Sequence, residues 1–189
     1  MDPGLKLQCA NYKTMSKSKL EEIKKILYRS LVGCLLYLSI GTRPDITYSV
    51  QQLSQYLDCY LYAHWNAAIC MVHYLSGTQN LKLHLGSTNP ISSLGFTDSD
   101  WANCLDTQRS VGGHTYSLGS GIVSWQARKQ KTVATSSCKA EYTAAFEASK
   151  ECIWLCTLLN SINHTPTTPT TTPQLISPKI PPYTIMSNT

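Results

Sequence analysis

Two carboxylates, Asp98 and Glu141, stand at positions where an acidic side chain needs a physical explanation. Asp98 ends an alternation of apolar residues and shares one face of a predicted strand with Leu94 and Phe96. Glu141 lies one helical turn before Ala145, on the predicted core-facing stripe of a helix. A carboxylate in such a place is costly unless it is paired or binds a metal. Oxygen ligands suit Mg²⁺, and such ions can clamp the attacking and leaving oxygens of a phosphodiester.

Each carboxylate also has a simpler interpretation. Glu141 could stand in the first turn of its helix, where the helix dipole favours an acid. Asp98 could end its strand by forming a turn, as aspartate commonly does. Asp100 and Asp106 lie in loop-like sequence and are predicted to be solvated. The spacing of the residues leaves the metal-binding and the structural interpretations open.

A short basic stretch offers a second kind of chemistry. Arg128, Lys129 and Lys131 are candidates for contacts with nucleic-acid phosphates, and a solvated loop is the alternative interpretation. The formal net charge of the chain is +5, which is compatible with nucleic-acid binding without establishing it.

The eight cysteines show no paired spacing, so reduced and mostly buried thiols are predicted. Cys152 and Cys156 are one helical turn apart, but no further ligands follow them at zinc spacing. The chain does not open with a charged and then apolar leader, and the apolar run 31–40 is much shorter than the roughly 20 residues that span a bilayer. We therefore expect a soluble intracellular protein, in the cytoplasm or the nucleus, with no membrane partner.

Hydrophobic periodicity places these residues in an α+β arrangement. Helical spacing predicts one helix from Lys19 to about residue 38, a second from Pro44, and a third from about Tyr62 to Gly77. Alternating patterns then predict about four strands, at 81–85, 94–98, 112–118 and 122–126. A long helix follows, with Ser136 or Ser137 as its N-cap. Residues 163–189 are rich in threonine and proline and are predicted to be disordered.

Several segments resemble one known family in unbroken order. The segments 28–38 (YRSLVGCLLYL), 42–46 (TRPDI), 64–68 (HWNAA) and 74–78 (YLSGT) resemble the region after the polymerase palm in copia-type retrotransposon reverse transcriptases. The segment 95–102 (GFTDSDWA) resembles the first strand of that family's ribonuclease H domain. The segments 109–110 (RS), 122–125 (IVSW) and 129–134 (KQKTVA) resemble the second and third strands of that ribonuclease H domain. The segments 136–142 (SSCKAEY) and 151–155 (ECIWL) resemble its first long helix.

The resemblance implies a ribonuclease H-like fold with a mixed sheet, and two-metal hydrolysis of the RNA strand of an RNA–DNA hybrid. By position, Asp98 matches the first catalytic aspartate and Glu141 the catalytic glutamate, both as ligands of Mg²⁺ or Mn²⁺. The implied domains are a helical reverse-transcriptase connection over 1–80, a truncated ribonuclease H-like domain over 81–162, and the tail over 163–189. The implied partners are an RNA–DNA hybrid or other nucleic acid, and the rest of the Pol polyprotein.

The sequence departs from the family pattern in three places. The family's next strand carries a third catalytic aspartate, whereas no acidic residue follows Glu151 here. Lys139 stands where the family usually has an acid, and the polymerase motif Tyr-x-Asp-Asp is absent. The sequence therefore predicts a Pol fragment without polymerase activity and with an incomplete, inactive ribonuclease H site. The alternatives are residual metal-dependent cleavage of the hybrid, and a non-catalytic module that binds nucleic acid or protein.

Overall fold

A computed structural model describes residues 7–12, 15–86 and 93–162 of the chain. The chain divides into two compact units between Leu81 and Lys82, one residue beyond the predicted boundary. Among the described residues, no helix combines the length and the apolar character that crossing a bilayer requires. The predicted disordered tail, 163–189, lies outside the described residues.

The described part of the first unit consists of helices. These are α1 (Lys17–Lys24), α2 (Tyr28–Gly41), α3 (Thr47–Ser54) and α4 (Tyr62–Gly77), with a short 3-10 helix, Pro44–Ile46, before α3. The predicted third helix is confirmed as α4, which ends at Gly77 as the sequence indicated. Apolar side chains from all of these helices except α1 meet in one core.

The prediction of a single helix over 19–38 is wrong, because the chain leaves the helix between α1 and α2. In one continuous helix, Leu27 would extend the apolar stripe of α1. The structure instead leaves Leu27 71% exposed and buries the larger Tyr28 completely. The Tyr28 hydroxyl donates a hydrogen bond to the Leu53 carbonyl oxygen at 2.8 Å. Burial of this ring, with its hydroxyl satisfied, accounts for the break.

A disulfide between Cys9 and Cys59 joins the segment before α1 to the connection between α3 and α4. Beside it, the Tyr12 hydroxyl donates to the Tyr60 carbonyl oxygen at 2.8 Å. The prediction of reduced, mostly buried thiols is therefore wrong. Of the six free cysteines that the structure describes, only Cys104 is buried. The pair is separated by 50 residues and could not be found from local spacing.

The second unit contains an antiparallel sheet of three described strands, β1 (Ser93–Asp100), β2 (Val111–Leu118) and β3 (Gly121–Lys129), in the order β1-β2-β3. A two-residue turn joins β2 to β3, and Gly119 in this turn has a φ of 63°. Because that left-handed conformation favours glycine, the local sequence specifies the predicted hairpin. The mixed sheet that the family resemblance implies stays a prediction.

The predicted strand at 81–85 is absent from the described structure, so the prediction of about four strands is wrong. This segment has no regular secondary structure and crosses the end of the β2–β3 hairpin. The Gly86 carbonyl oxygen accepts a hydrogen bond from the Ser120 amide at 3.2 Å. A Cβ atom on Gly121 would lie 2.5 Å from the carbonyl oxygen of His84. The alternation of leucines is present, but no strand among the described residues pairs with the segment.

One long helix, α5 (Ser137–Ser161), covers one face of the sheet. Ser136 is the N-cap, since its hydroxyl accepts a hydrogen bond from the Lys139 amide at 3.2 Å. The helix packs closely because its buried face is built mainly from small residues: Ala140, Ala144, Ala148 and Leu159. A Cβ atom on Gly112 would lie 3.1 Å from the Ala144 Cβ. The buried face is thus rotated slightly from the predicted one, and Glu141 lies at its edge.

Candidate functional site

Asp98 lies near the end of β1, where the strand reaches the edge of the face that α5 covers. Its Oδ1 accepts a hydrogen bond from the Ser99 amide at 2.8 Å. Burial along the strand alternates, so Thr97 and Ser99 are buried while Leu94 and Phe96 are 42% and 41% exposed. Leu94 and Phe96 therefore lie on the face that α5 leaves uncovered, whereas Asp98, farther along the strand, is partly buried.

Glu141 is brought to Asp98 by the start of α5. The pKa of Glu141 is raised, first by burial and then by the negative charge of Asp98. A hydrogen bond with the backbone of Ser99 opposes this rise. The structure therefore unites two carboxylates that are far apart in sequence. The interpretation of Glu141 as a first-turn acid is wrong, because the first turn of α5 contains no acidic residue.

A buried glutamine connects the two elements that carry these carboxylates. Gln130 is 8% exposed, and its Nε2 donates to the Ser99 hydroxyl at 3.2 Å and to the Ala140 carbonyl oxygen at 2.8 Å. Its backbone amide donates to the Ser110 carbonyl oxygen at 2.8 Å. Gln130 thus ties the end of β1 to the first turns of α5. Sequence reasoning missed this role because the glutamine stands between two lysines and was grouped with them.

The remaining acidic residues do not complete a metal site. Asp100 and Asp106 are exposed, as predicted, and Asp100 accepts a hydrogen bond from the side-chain Nδ2 of Asn103. Within the part of the chain that the structure describes, no group of three or more His, Cys, Asp or Glu side chains could hold a metal ion. Lys139 is exposed, so its ammonium group can remain in solvent. The candidate site therefore offers two carboxylates.

The predicted phosphate-binding stretch is not one uniform surface. Arg128 and Lys131 are exposed, whereas Lys129 is only partly exposed and its Nζ lies 2.8 Å from the Sγ of Cys104. Burial raises the pKa of the Cys104 thiol, but hydrogen bonds from Lys129 and Thr107 outweigh this effect, and the pKa is lowered overall. Lys129 is therefore engaged inside the unit. Arg128 and Lys131 stay as the predicted phosphate contacts.

Replacing Glu141 by glutamine should raise the Tm of the second unit by about 2–4 °C near neutral pH, if relief of the repulsion contributes roughly 0.5 kcal/mol. Because the folded-state pKa of Glu141 is raised, stability falls as pH rises from the ordinary value of 4.5 through the folded value. The gain should therefore vanish in acid below 4.5. Thermal unfolding of the variant and of the unaltered chain, near neutral pH and below pH 4.5, measures this gain in Tm.

The matched control is Glu147→Gln on the exposed part of the same helix. Glu147 is paired with Lys150 at 2.8 Å, and this pair lowers the Glu147 pKa, so the control should not raise the Tm. An equal rise in both variants, or no rise in Glu141→Gln near neutral pH, would contradict the expected repulsion.

Comparison with known proteins identifies the class of sequence. The chain is 40% identical over 146 residues to the retrovirus-related Pol polyprotein from transposon TNT 1-94 of Nicotiana tabacum, covering 76% of this chain and 11% of that protein. It is 40% identical over 135 residues to the retrovirus-related Pol polyprotein from transposon RE2 of Arabidopsis thaliana, covering 71% of this chain and 9% of that protein. The matched region is thus about a tenth of each polyprotein.

A shorter relative matches over nearly its whole length. The chain is 38% identical over 133 residues to the secreted RxLR effector protein 161 of Plasmopara viticola, covering 70% of this chain and 94% of that protein. The chain therefore belongs to a family of sequences related to retrotransposon Pol polyproteins. No family model matches the chain, and no solved structure matches it.

Proposed function

We propose that the chain is a copia-type Pol fragment with a ribonuclease H-like second unit, whose active site is incomplete and does not cleave RNA. The observation that carries this proposal is that Gln130 binds Ser99 and Ala140, the neighbours of Asp98 and Glu141, and so holds the two carboxylates at one end of the unit, where the charge of Asp98 raises the Glu141 pKa. A carboxylate whose pKa is raised by burial and by a second carboxylate is a candidate for a functional site.

The chemistry of this pair fits a divalent cation. Carboxylate oxygens are the ligands that Mg²⁺ prefers, and an ion between Asp98 and Glu141 would neutralise the charge that raises the Glu141 pKa. The pair can hold one ion. Two-metal hydrolysis requires two ions about 4 Å apart, and residues 152–189 contain no Asp or Glu that could bind the second. Cation binding without hydrolysis is the function that these residues support.

Metal binding can be tested by thermal unfolding of the full chain with millimolar Mg²⁺ or Mn²⁺. We expect a rise in Tm for the unaltered chain, because an ion that binds the folded state alone stabilises it. The rise should be lost in Asp98→Asn and in Glu141→Gln and kept in Glu147→Gln. A rise that persists in both site variants would overturn the assignment.

Catalysis can be tested with an RNA–DNA hybrid under the same conditions. We expect no cleavage above that of buffer with metal, because the third carboxylate is missing. Metal-dependent cleavage that disappears in Glu141→Gln would show an active nuclease and refute the proposal of inactivity. Cleavage that survives in Glu141→Gln would indicate a contaminating nuclease, which repurification would remove.

A second candidate function is hydrolysis of an RNA–DNA hybrid once another chain supplies the missing strand of the active site. The free outer edge of β1 favours this candidate. Among the described strands, β1 pairs only with β2, so its outer edge near Asp98 is open to a further strand. The relevant partner would be the segment that follows the matched region in a Pol polyprotein. Adding that segment from the TNT 1-94 polyprotein should produce metal-dependent cleavage of the hybrid, and its failure to do so would refute this candidate.

A further inference from the structure

The first unit contains a cleft that the carboxylate site does not use. Its volume is about 300 Å³, at the lower end of the range for ligand sites, which suits one nucleotide. Apolar side chains form part of its wall, and two tyrosines, two cations and one carboxylate complete it: Leu20, Ile23, Leu57, Tyr12, Tyr60, Lys24, Arg29 and Asp58. The cleft therefore combines apolar and aromatic surface with positive charge.

The cations at this cleft belong to a larger basic surface. Lys17, Lys19, Lys24 and Lys25 are all exposed on or directly after α1. At 100° per residue, Lys17 and Lys24 lie on the same side of α1, close to its cleft-lining residues. Glu22 lies about 140° from Lys17 and about 160° from Lys24, on the opposite side of the helix, whereas Glu21 lies about 40° and about 60° from them, on the same side. The side of α1 near the cleft therefore carries two lysines and one glutamate.

Hydrogen bonds fix the orientation of the guanidinium group of Arg29. Its Nε donates to the Leu57 carbonyl oxygen at 3.1 Å, and its Nη2 donates to Asp58. Its Nη1 makes no hydrogen bond with any described residue, and the Arg29 side chain is 67% exposed. The Nη1 of this oriented guanidinium can therefore donate hydrogen bonds to a phosphate.

The aromatic wall is also held in place. The Tyr12 hydroxyl donates to the Tyr60 carbonyl oxygen, and the Tyr60 ring stacks on Tyr28 with ring centres 4.8 Å apart. The nearby disulfide of Cys9 and Cys59 ties the Tyr12 segment to the same connection. The rings can therefore receive a stacking partner with little loss of conformational freedom.

We propose that this cleft binds single-stranded nucleic acid, with a base against the Tyr12 ring and the adjoining phosphates at Lys24 and Arg29. Stacking on a fixed ring beside a basic groove is the general means by which proteins bind single strands. A duplex would hide the faces of its bases from the ring. The inference is independent of Asp98, Glu141 and any metal ion.

The test measures binding of a fluorescein-labelled oligothymidylate of about 12 nucleotides, a length within the usual site sizes, to the full chain by fluorescence anisotropy. We expect Lys24→Ala and Arg29→Ala each to weaken binding about 5-fold at low salt. Each should reduce the slope of log K against log salt by about 0.7, the value for one phosphate contact on a single strand. Tyr12→Leu should weaken binding about 10-fold, while Tyr12→Phe should retain most of the affinity.

Lys82→Ala, an exposed lysine of the other unit, is the matched control and should bind like the unaltered chain. Circular dichroism and Tm values show that each variant is folded. Equal weakening by Lys82→Ala, or unchanged binding by Lys24→Ala, Arg29→Ala and Tyr12→Leu, would overturn the proposal. Equally effective competition by unlabelled duplex of the same length would overturn the single-strand assignment. Glu141→Gln should leave binding unchanged, which separates this site from the proposed metal site.

Discussion

Replacing Arg43 by alanine is expected to lower the free energy of unfolding of the helical unit by about 3–5 kcal/mol. Arg43 is 9% exposed, and its Nη2 lies 2.7 Å from Oδ2 of Asp45. The same guanidinium donates to the carbonyl oxygen and the hydroxyl of Thr78 at the end of α4. Loss of the arginine would leave Asp45 charged and half-buried with only the Tyr74 hydroxyl, at 3.0 Å, as a side-chain donor.

The pH dependence of this effect has a defined sign. Burial raises the pKa of Asp45, but hydrogen bonds from Arg43 and Tyr74 outweigh it, so the pKa is lowered overall. A lowered folded-state pKa contributes stability above the unfolded value of 3.8, and this stability is lost as pH falls through the folded value. The difference between Arg43→Ala and the unaltered chain should therefore shrink in strong acid.

The matched control is Arg29→Ala, because Arg29 and Asp58 form an ion pair with side chains that are 67% and 89% exposed. An exposed pair contributes at most about 1 kcal/mol, so this variant should unfold almost like the unaltered chain. Urea unfolding, with hydrogen exchange of α2 and α4 to identify the unit, measures both variants. If Arg43→Ala and Arg29→Ala lower the free energy of unfolding by similar amounts, burial of the ion pair does not determine its contribution to stability.

Replacing Cys9 by serine is expected to destabilise the helical unit by about 4 kcal/mol under non-reducing conditions. The disulfide of Cys9 and Cys59 closes a loop with a sequence separation of 50, and its removal restores the freedom of the unfolded chain. It also releases the segment that buries Leu7, whose carbonyl oxygen accepts a hydrogen bond from Tyr56 at 2.8 Å. Reduction of the unaltered chain should have a similar effect.

Cys34→Ser is the control, because Cys34 is an exposed free thiol and its replacement should change the midpoint of unfolding little. The measurement is urea unfolding of both variants and of the unaltered chain, with and without reductant. If Cys9→Ser unfolds at the same urea concentration as the oxidised unaltered chain, the disulfide does not constrain this unit.

The elements that were predicted correctly depend on local interactions. The helix over Tyr62–Gly77, the hairpin turn at Gly119 and the serine N-cap of α5 are examples. Each is set by helical spacing, by a left-handed backbone angle or by a hydroxyl within a few residues of its donor. The break before Tyr28 and the missing strand at 81–85 depend on distant partners, so their local patterns indicated the wrong structure.

For the candidate site, the sequence identified the two carboxylates but left their interpretation open. Helical spacing placed Glu141 toward the core, and strand alternation singled out Asp98, yet neither pattern showed that the two side chains meet. Gln130 was missed because only the packed structure buries it between β1 and α5. The role of Lys129 changed for the same reason, since Cys104 lies 25 residues away.

The sequence by itself determined which residues are available for chemistry, and it showed that residues 152–189 contain no Asp or Glu. Composition does not depend on folding, so this deficit holds in any arrangement of the chain. The tertiary structure alone decided which side chains meet: it brought Asp98 to Glu141 and joined Cys9 to Cys59. Such contacts arise when distant segments pack on a shared core, and their free energies depend on burial, which is a property of the folded chain.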